Sequence, residues 1–254
     1  MDELLRMSSC AAWEGESLDR EKFLTVFQPE LIRRVTHLSG FACQFSIQHY
    51  NMSLYSHFGI PLPDSIKRSV LKRQAEYLAG RVVADLAIKN LHLSSSVVSI
   101  GLSREPVWPK PVVGSISHTA NTACAVVAMK DSVRSVGVDI ESYICPKVLK
   151  DIEHTIFDLS EVSLLKSSEI EDYSIAATVA FSAKESLFKA LFPLVHHYFG
   201  FDCARLVSIS QADGTFKLEL TSDLSTNEFL IGHQFQGHFE IFDRKAMTLI
   251  SILT

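Results

Sequence analysis

Three short segments carry residue types at spacings that chemistry uses. The first is Asp139-Ile140-Glu141, at the end of the apolar run SVGVDIE. On a strand, side chains at i and i+2 point the same way, so the two carboxylates stand side by side, their Cα atoms ~6.5 Å apart. Two anions held that close repel unless a cation lies between them, and hard oxygen donors suit Mg²⁺, which also takes substrate phosphates. Two exposed acids at a strand end are the plain alternative. The second segment is FSAKESLFKAL (181–191). Glu185 and Lys189 are four apart and share a helix face, with Lys184 beside them. Alone, such a pair reads as a solvated salt bridge. Clustered with Ser182 and Ser186 on a helix that otherwise buries Ala, Leu and Phe, it also suits a metal-binding carboxylate among phosphate-binding cations.

The third segment is GSISHT (114–119), where Ser117-His118 follows a short apolar stretch. It lacks the G-x-S-x-G pattern of a hydrolase nucleophile elbow, whereas a histidine at a strand end can donate to a phosphate oxygen. A fourth, looser feature is basic: Lys67, Arg68, Lys72, Arg73 and Arg81. On a helix Arg73 and Arg81 lie ~12 Å apart along one row, a span that fits an extended, multiply phosphorylated ligand as well as it fits a solvated face. Arg104 and Lys110 flank Trp108 in the turn before GSISH and add positive charge there.

The elements that position these residues follow from periodicity. FACQFSIQHY (41–50) alternates and predicts a half-buried strand. Asp64 is placed to cap one long helix over 65–91, with Ile66, Val70, Leu78, Val82 and Leu86 on its apolar row. Strands are expected at 97–101, 112–117, 122–129 and 133–141, punctuated by Gly and Pro. After 145 the pattern turns helical. Asp158 and Glu161 have capping-box spacing. A helix over about 171–193 carries Ile175, Val179, Leu187 and Leu191, with Pro193 placed to end it. The remainder, ARLVSIS, an Asp213-Gly214 turn, TFKLELT, EFLIGHQFQ, FEIF and MTLISILT, is strand-like. Residues 1–35 read as an irregular or weakly helical lead-in. The order of one long helix followed by strands thus occurs twice, which suggests two similar α+β lobes joined near 140–150.

Composition is that of a globular chain. The 254 residues are 47% hydrophobic and 21% charged, with a net charge of −5, which argues against wholesale binding to nucleic acid or to a membrane surface. Five scattered cysteines without CxxC spacing indicate neither a zinc site nor a disulfide framework, and reduced thiols place the chain in a cytosol. No stretch has the length or apolarity of a membrane span, and MDELLRMSSC is not a secretory signal.

Taken together, GSISHT, VGVDIE and FSAKESLFKAL, preceded by RQAEYLAGR and REPVWPKPVVGSISH, resemble the 4′-phosphopantetheinyl transferases, and within them the bacterial enterobactin-synthase component D type. The resemblance covers about 73–192. Phe181 stands where many members of the family have Trp. It implies an α+β fold of two pseudo-symmetric lobes, expected here at 1–142 and 143–254, with the site between them. It implies transfer of phosphopantetheine from coenzyme A to a serine of apo acyl or peptidyl carrier proteins, dependent on Mg²⁺, by a cytoplasmic monomer that binds neither nucleic acid nor membrane. Carried over by position, Asp139, Glu141 and Glu185 are metal ligands. Arg73, Arg81, Arg104, Lys110, Ser117, His118, Asp139, Lys184 and Lys189 hold the coenzyme A phosphates, His118 at the 3′-phosphate. Glu185, Lys184 and Lys189 are the catalytic groups, with Glu185 as general base directly or through a metal-bound water. Two other classes stay open: a non-catalytic module that binds coenzyme A or a nucleotide, and a metal-dependent phosphohydrolase.

Overall fold

The computed structural model describes residues 17–94 and 97–254. Its first elements are helix α1 (Ser17–Phe23), strand β1 (Leu24–Phe27) and helix α2 (Glu30–Arg34). The expected irregular lead-in therefore supplies a strand. Four residues are too few to show an alternation, so β1 becomes recognisable only through its partner β2 (Ser39–Phe45), where Val26 lies opposite Cys43 and Phe27 opposite Ala42. The remainder of that lead-in, 1–16, lies outside the described residues. β2 is shorter than the expected 41–50, giving way to a 3₁₀ turn at Ile47–His49. It is also buried on both faces, since Ala42 and Cys43 are alike inaccessible.

Helices α3 (Leu54–His57), α4 (Asp64–Lys67) and α5 (Leu71–Asn90) follow. The single helix expected over 65–91 is thus interrupted. Val70 takes an extended conformation at the start of α5 and is 73% exposed, off the row that buries Ile66, Leu78 and Val82. Gln74 stabilises the break by donating to the Ser69 carbonyl at 2.8 Å and the Lys67 carbonyl at 3.1 Å. Next come a small ribbon of β3 (Ser99–Ile100) and β4 (Pro106–Val107), then β5 (Val112–Thr119), β6 (Thr122–Met129) and β7 (Val133–Ser142). The first sheet is antiparallel with order β1-β2-β6-β5. Its centre is β6, whose seven buried residues leave no polar face. Ala75, Leu78, Ala79, Val82 and Val83 of α5 pack on it.

The second lobe contains α6 (Pro146–Ile156), α7 (Leu159–Lys166), α8 (Tyr173–Val195), β8 (Ala204–Ser210), β9 (Thr215–Leu220), β10 (Gln234–Phe242) and β11 (Lys245–Leu253). Its sheet runs β7-β11-β10-β9-β8. The strand expected to close the first lobe therefore opens the second: β7 pairs along its length with β11, Asp139 opposite Thr248 and Glu141 opposite Ala246. The break between the two sheets falls near 130–132, because β7 spends its ladder on β11 and meets β5 through side chains, the Val138 N–H donating to Ser115 Oγ at 3.1 Å. A shared cluster fills the seam, where Ile32, Ala42 and Val126 meet Val138, Ile140 and Met247.

Local signals in this half are mostly obeyed. Asp158 accepts from the Glu161 N–H at 2.9 Å and Glu161 accepts from the Asp158 N–H at 3.0 Å, so the capping box forms. Gly214 takes φ +63° in the turn between β8 and β9. Pro193 does not end α8: it sits in the last turn, where one missing N–H is tolerable, and the helix runs on to Val195 and is capped by left-handed His196. EFLIGHQFQ is strand only from Gln234, since the Glu228 and Phe229 N–H groups turn onto Ser225 Oγ. Helix and sheet come into backbone contact at Gly137 of β7, where an added Cβ would lie 1.9 Å from the Ser186 carbonyl oxygen of α8. That contact brings the α8 backbone directly onto the strand that carries Asp139 and Glu141. Among the described residues, no helix is long and apolar enough to cross a membrane.

Candidate active site

Asp139 is the centre of the site and is only 2% exposed. Its Oδ1 accepts from Lys189 Nζ at 2.6 Å and from Ser117 Oγ at 2.8 Å, and its Oδ2 accepts from Ser182 Oγ at 2.7 Å. Lys189 Nζ also reaches Ser117 Oγ at 2.9 Å. One carboxylate thus gathers β5, β7 and α8, residues 22 and more positions apart. Behind it runs a buried hydroxyl chain: Ser182 Oγ lies 2.9 Å from Thr248 Oγ1, which in turn meets Ser186 Oγ. Since Ser182 must donate to Asp139, this chain is polarised toward the carboxylate. Burial opposes a charge on Lys189, yet Asp139 in direct contact holds the ammonium's pKa above its ordinary value.

Glu141 and Glu185 flank this centre. Burial first, and then the Asp139 charge, raise the pKa of both. Glu185 adds to the effect on Glu141, which is pushed up to about 7, while Lys189 works against it. Among the described residues, no group of three or more His, Cys, Asp or Glu side chains closes to the spacing of a metal centre. The donor set nevertheless has the chemistry for a hard cation: three carboxylates, of which Glu141 and Glu185 have their proton affinity raised by burial and then by the Asp139 charge, with one acceptor position of Asp139 Oδ2 still open beside the Ser182 bond.

The basic residues divide. A cavity of about 570 Å³ is lined by Arg73, Arg81, Arg104 and His118, together with Glu76, Tyr77, Ser65 and Ser69. An Arg73 guanidinium nitrogen lies 2.8 Å from His118 Nε2. Arg81 is anchored, its Nε donating to the Val98 carbonyl at 2.7 Å and its guanidinium stacked 4.5 Å over the Tyr77 ring. Arg104 also borders a neighbouring space of about 440 Å³ between the lobes, which Trp108, Phe188, Phe192, Tyr198 and Lys189 line. Lys110 is exposed, and neither cavity has it in its lining.

Two expectations change here. Ser117, expected beside His118 at a phosphate, faces the other way on its strand and serves Asp139, because neighbours on a strand point to opposite sides. Lys184 is not at the site. Its Nζ is 2.9 Å from Glu161, 2.7 Å from the Ile156 carbonyl and 3.1 Å from the Phe201 carbonyl, with the pair 3% and 2% exposed. One residue of helical rotation, about 100°, separates it from Glu185 and turns it into the second lobe's core. Sequence reasoning also missed Glu76, which lies in the basic cavity. Its signal was the i, i+3 spacing from Arg73 in RQAEYLAGR, which puts both on one face. The partner role of Glu161 was hidden behind its capping role, and Thr248 carries no sequence signal.

Residues 63–128 match the model of the 4′-phosphopantetheinyl transferase N-terminal domain, and residues 135–245 match that of the 4′-phosphopantetheinyl transferase superfamily. The two matches part where the two sheets part. The chain is 38% identical over 151 residues to enterobactin synthase component D of Salmonella typhi, covering 59% of this chain and 62% of that protein. It is 32% identical over 158 residues to 4′-phosphopantetheinyl transferase PptT of Mycobacterium tuberculosis, covering 61% and 68%. It is 31% identical over 195 residues to 4′-phosphopantetheinyl transferase Npt of Nocardia iowensis, covering 73% and 85%. The chain belongs to the 4′-phosphopantetheinyl transferase family. Its matches span between about half and two thirds of the enterobactin synthase components.

Proposed function

We propose that this protein transfers the 4′-phosphopantetheine group of coenzyme A to a serine of an apo acyl or peptidyl carrier protein, releasing 3′,5′-ADP. The observation that carries this reading is the junction at Asp139, where acids and Lys189 from the second lobe adjoin a basic cavity of the first. Arg73, Arg81, Arg104 and His118 bind the nucleotide phosphates. The mostly uncharged pantetheine arm lies along Trp108, Phe188 and Phe192, in the space between the lobes. Membership of the family supports both assignments.

The carrier serine oxygen attacks the β-phosphorus, a new P–O bond forms, and the bond to the bridging oxygen breaks with its electrons on the leaving 3′,5′-ADP. Glu185 accepts the serine proton. Lys189, held by Asp139, stabilises the charge that develops at the bridge. Asp139, Glu141 and Glu185 would hold Mg²⁺, which when bound neutralises charge on the diphosphate. The hydroxyl chain from Ser186 through Thr248 and Ser182 fixes the orientation of the Asp139 carboxylate. The rim of the basic cavity supports a docking face for the carrier: Val70 and Leu71 are 73% and 63% exposed and are flanked by exposed Lys67, Arg68 and Lys72.

The test is intact-mass analysis of apo carrier proteins incubated with this protein, coenzyme A and Mg²⁺. A phosphopantetheine mass gain on the carrier serine is expected, and Asp139→Ala and Glu185→Ala should abolish it with the fold intact. Coenzyme A binding without any gain on a panel of carriers would leave a non-catalytic module. Phosphate release with no carrier present would make it a phosphohydrolase.

A further inference from the structure

Glu76 is an acid inside an otherwise cationic cavity. It lies in the second turn of α5 with its side chain 9% exposed. Its own charge weakens the binding of any anion there, so whatever it contributes comes through its neighbours. One oxygen, Oε2, is 3.8 Å from Arg73 Nη1 and 3.8 Å from His118 Nδ1, and the other is 3.8 Å from Lys72 Nζ. The Arg73 guanidinium is 2.8 Å from His118 Nε2. Arginine only donates, so His118 Nε2 accepts, and the ring proton resides on Nδ1, facing Glu76.

This tautomer cannot serve a phosphate from Nε2 as it stands. An arriving phosphate ester draws the Arg73 guanidinium to itself and leaves Nε2 needing a proton before it can donate. We propose that Glu76 is a positioning residue that holds the His118 ring by its Nδ1 face, so that entry of a phosphate ester into the cavity is accompanied by uptake of one proton from solvent on His118 Nε2. The imidazolium then lies between the bound anion and Glu76. This rests on the reading of the cavity as the phosphate site of coenzyme A.

The charges facing His118 support the sequence of events. From α5, Glu76 favours the imidazolium, while Arg73 and Lys72 oppose it; from α8, Lys189 opposes it too. Burial, the largest influence, together with these three cations, keeps the free ring's pKa below its ordinary value despite Glu76. The free ring is neutral near pH 7.5, and the incoming anion reverses the balance.

The experiment is calorimetric titration of 3′,5′-ADP into the full chain at pH 7.5, in buffers of differing ionisation enthalpy, which counts the protons taken up. Uptake approaching one proton per site is expected for the parent. Glu76→Gln should lose most of that uptake, and Glu76→Asp, which withdraws the carboxylate by one methylene, should lose part of it. His118→Gln should abolish it. For Glu76→Gln the KM for coenzyme A should fall toward acid less steeply than in the parent. Absence of uptake in the parent, or an unchanged count in both Glu76 variants, would overturn the proposal. Arg73→Ala separates the two levels: if it leaves 3′,5′-ADP affinity unchanged, the cavity reading itself fails, whereas weakened affinity with no proton uptake refutes only the role of Glu76.

Discussion

Lys184→Met distinguishes two roles for a lysine that precedes Glu185 in the chain. Its Nζ is bound by both oxygens of Glu161, at 2.9 and 3.0 Å, and by two backbone carbonyls. Methionine keeps most of the stem's volume but leaves Glu161 charged, buried and without its cation. Removing one partner of a buried pair costs about 3–5 kcal/mol. Glu161 retains N–H donors from Asp158 and from Leu206, the latter at 2.7 Å, which places the cost near the lower end, about 3 kcal/mol. At an m-value of about 3 kcal/mol/M, the urea midpoint falls by about 1 M. Glu161→Gln removes the stranded charge while keeping an acceptor for the Leu206 N–H. Lys184→Met/Glu161→Gln should therefore recover much of the loss, and the four proteins of the cycle should give a coupling energy of about 2 kcal/mol or more. Urea denaturation followed by circular dichroism measures this. Transfer per folded molecule, assayed well below the unfolding transition, should stay within about threefold of the parent, less than 1 kcal/mol of transition-state stabilisation. A variant of unchanged stability whose transfer collapses would refute the argument and return Lys184 to the phosphates.

Other perturbations test other joints of the structure. Gly137→Ala drives a Cβ into the backbone of α8 at Ser186 and Ala190, where no rotamer can relieve it, so a loss of about 3 kcal/mol is expected, with transfer falling further as Glu185 and Lys189 move off Asp139; parental urea and turnover curves would contradict this. Glu141 has a folded pKa of about 7 against an ordinary 4.5, so its contribution to stability is complete below about 4.5 and is lost as pH rises through 7. Melting temperature without divalent cations should fall between pH 5 and 8, Mg²⁺ should raise it more at pH 8 than at pH 5, and Glu141→Gln should flatten both trends; a Mg²⁺ effect independent of pH would sink the assignment. Reversing Lys67 and Arg68 to Glu should raise the carrier's KM by about tenfold, at about 0.5–1 kcal/mol for each rim charge, and leave that for coenzyme A unchanged; an unchanged carrier constant removes this face as the docking site.

Much of this protein is written locally. The alternation of SVGVDIE made β7 a strand and put Asp139 and Glu141 on one side of it, because the two-residue period of a strand is set by backbone geometry alone. The helical spacing of FSAKESLFKAL put Glu185 and Lys189 on one face for the same kind of reason, and the Asp158–Glu161 capping box needed nothing beyond its own turn. Five ordered segments were enough to name the family. Tertiary structure decided what those periods leave open. Which sheet β7 joins depends on the β11 ladder, more than 100 residues away in the chain. Whether Lys184 meets a phosphate or Glu161 depends on which side of α8 the second lobe covers, and Lys184 and Lys189 look alike in a sequence. The break before α5 is held by Gln74, a side chain that no propensity singles out. Periodicity fixes direction along one element, but partners across elements are selected by burial and hydrogen-bond satisfaction over the whole chain, and those exist only once the lobes have closed on each other.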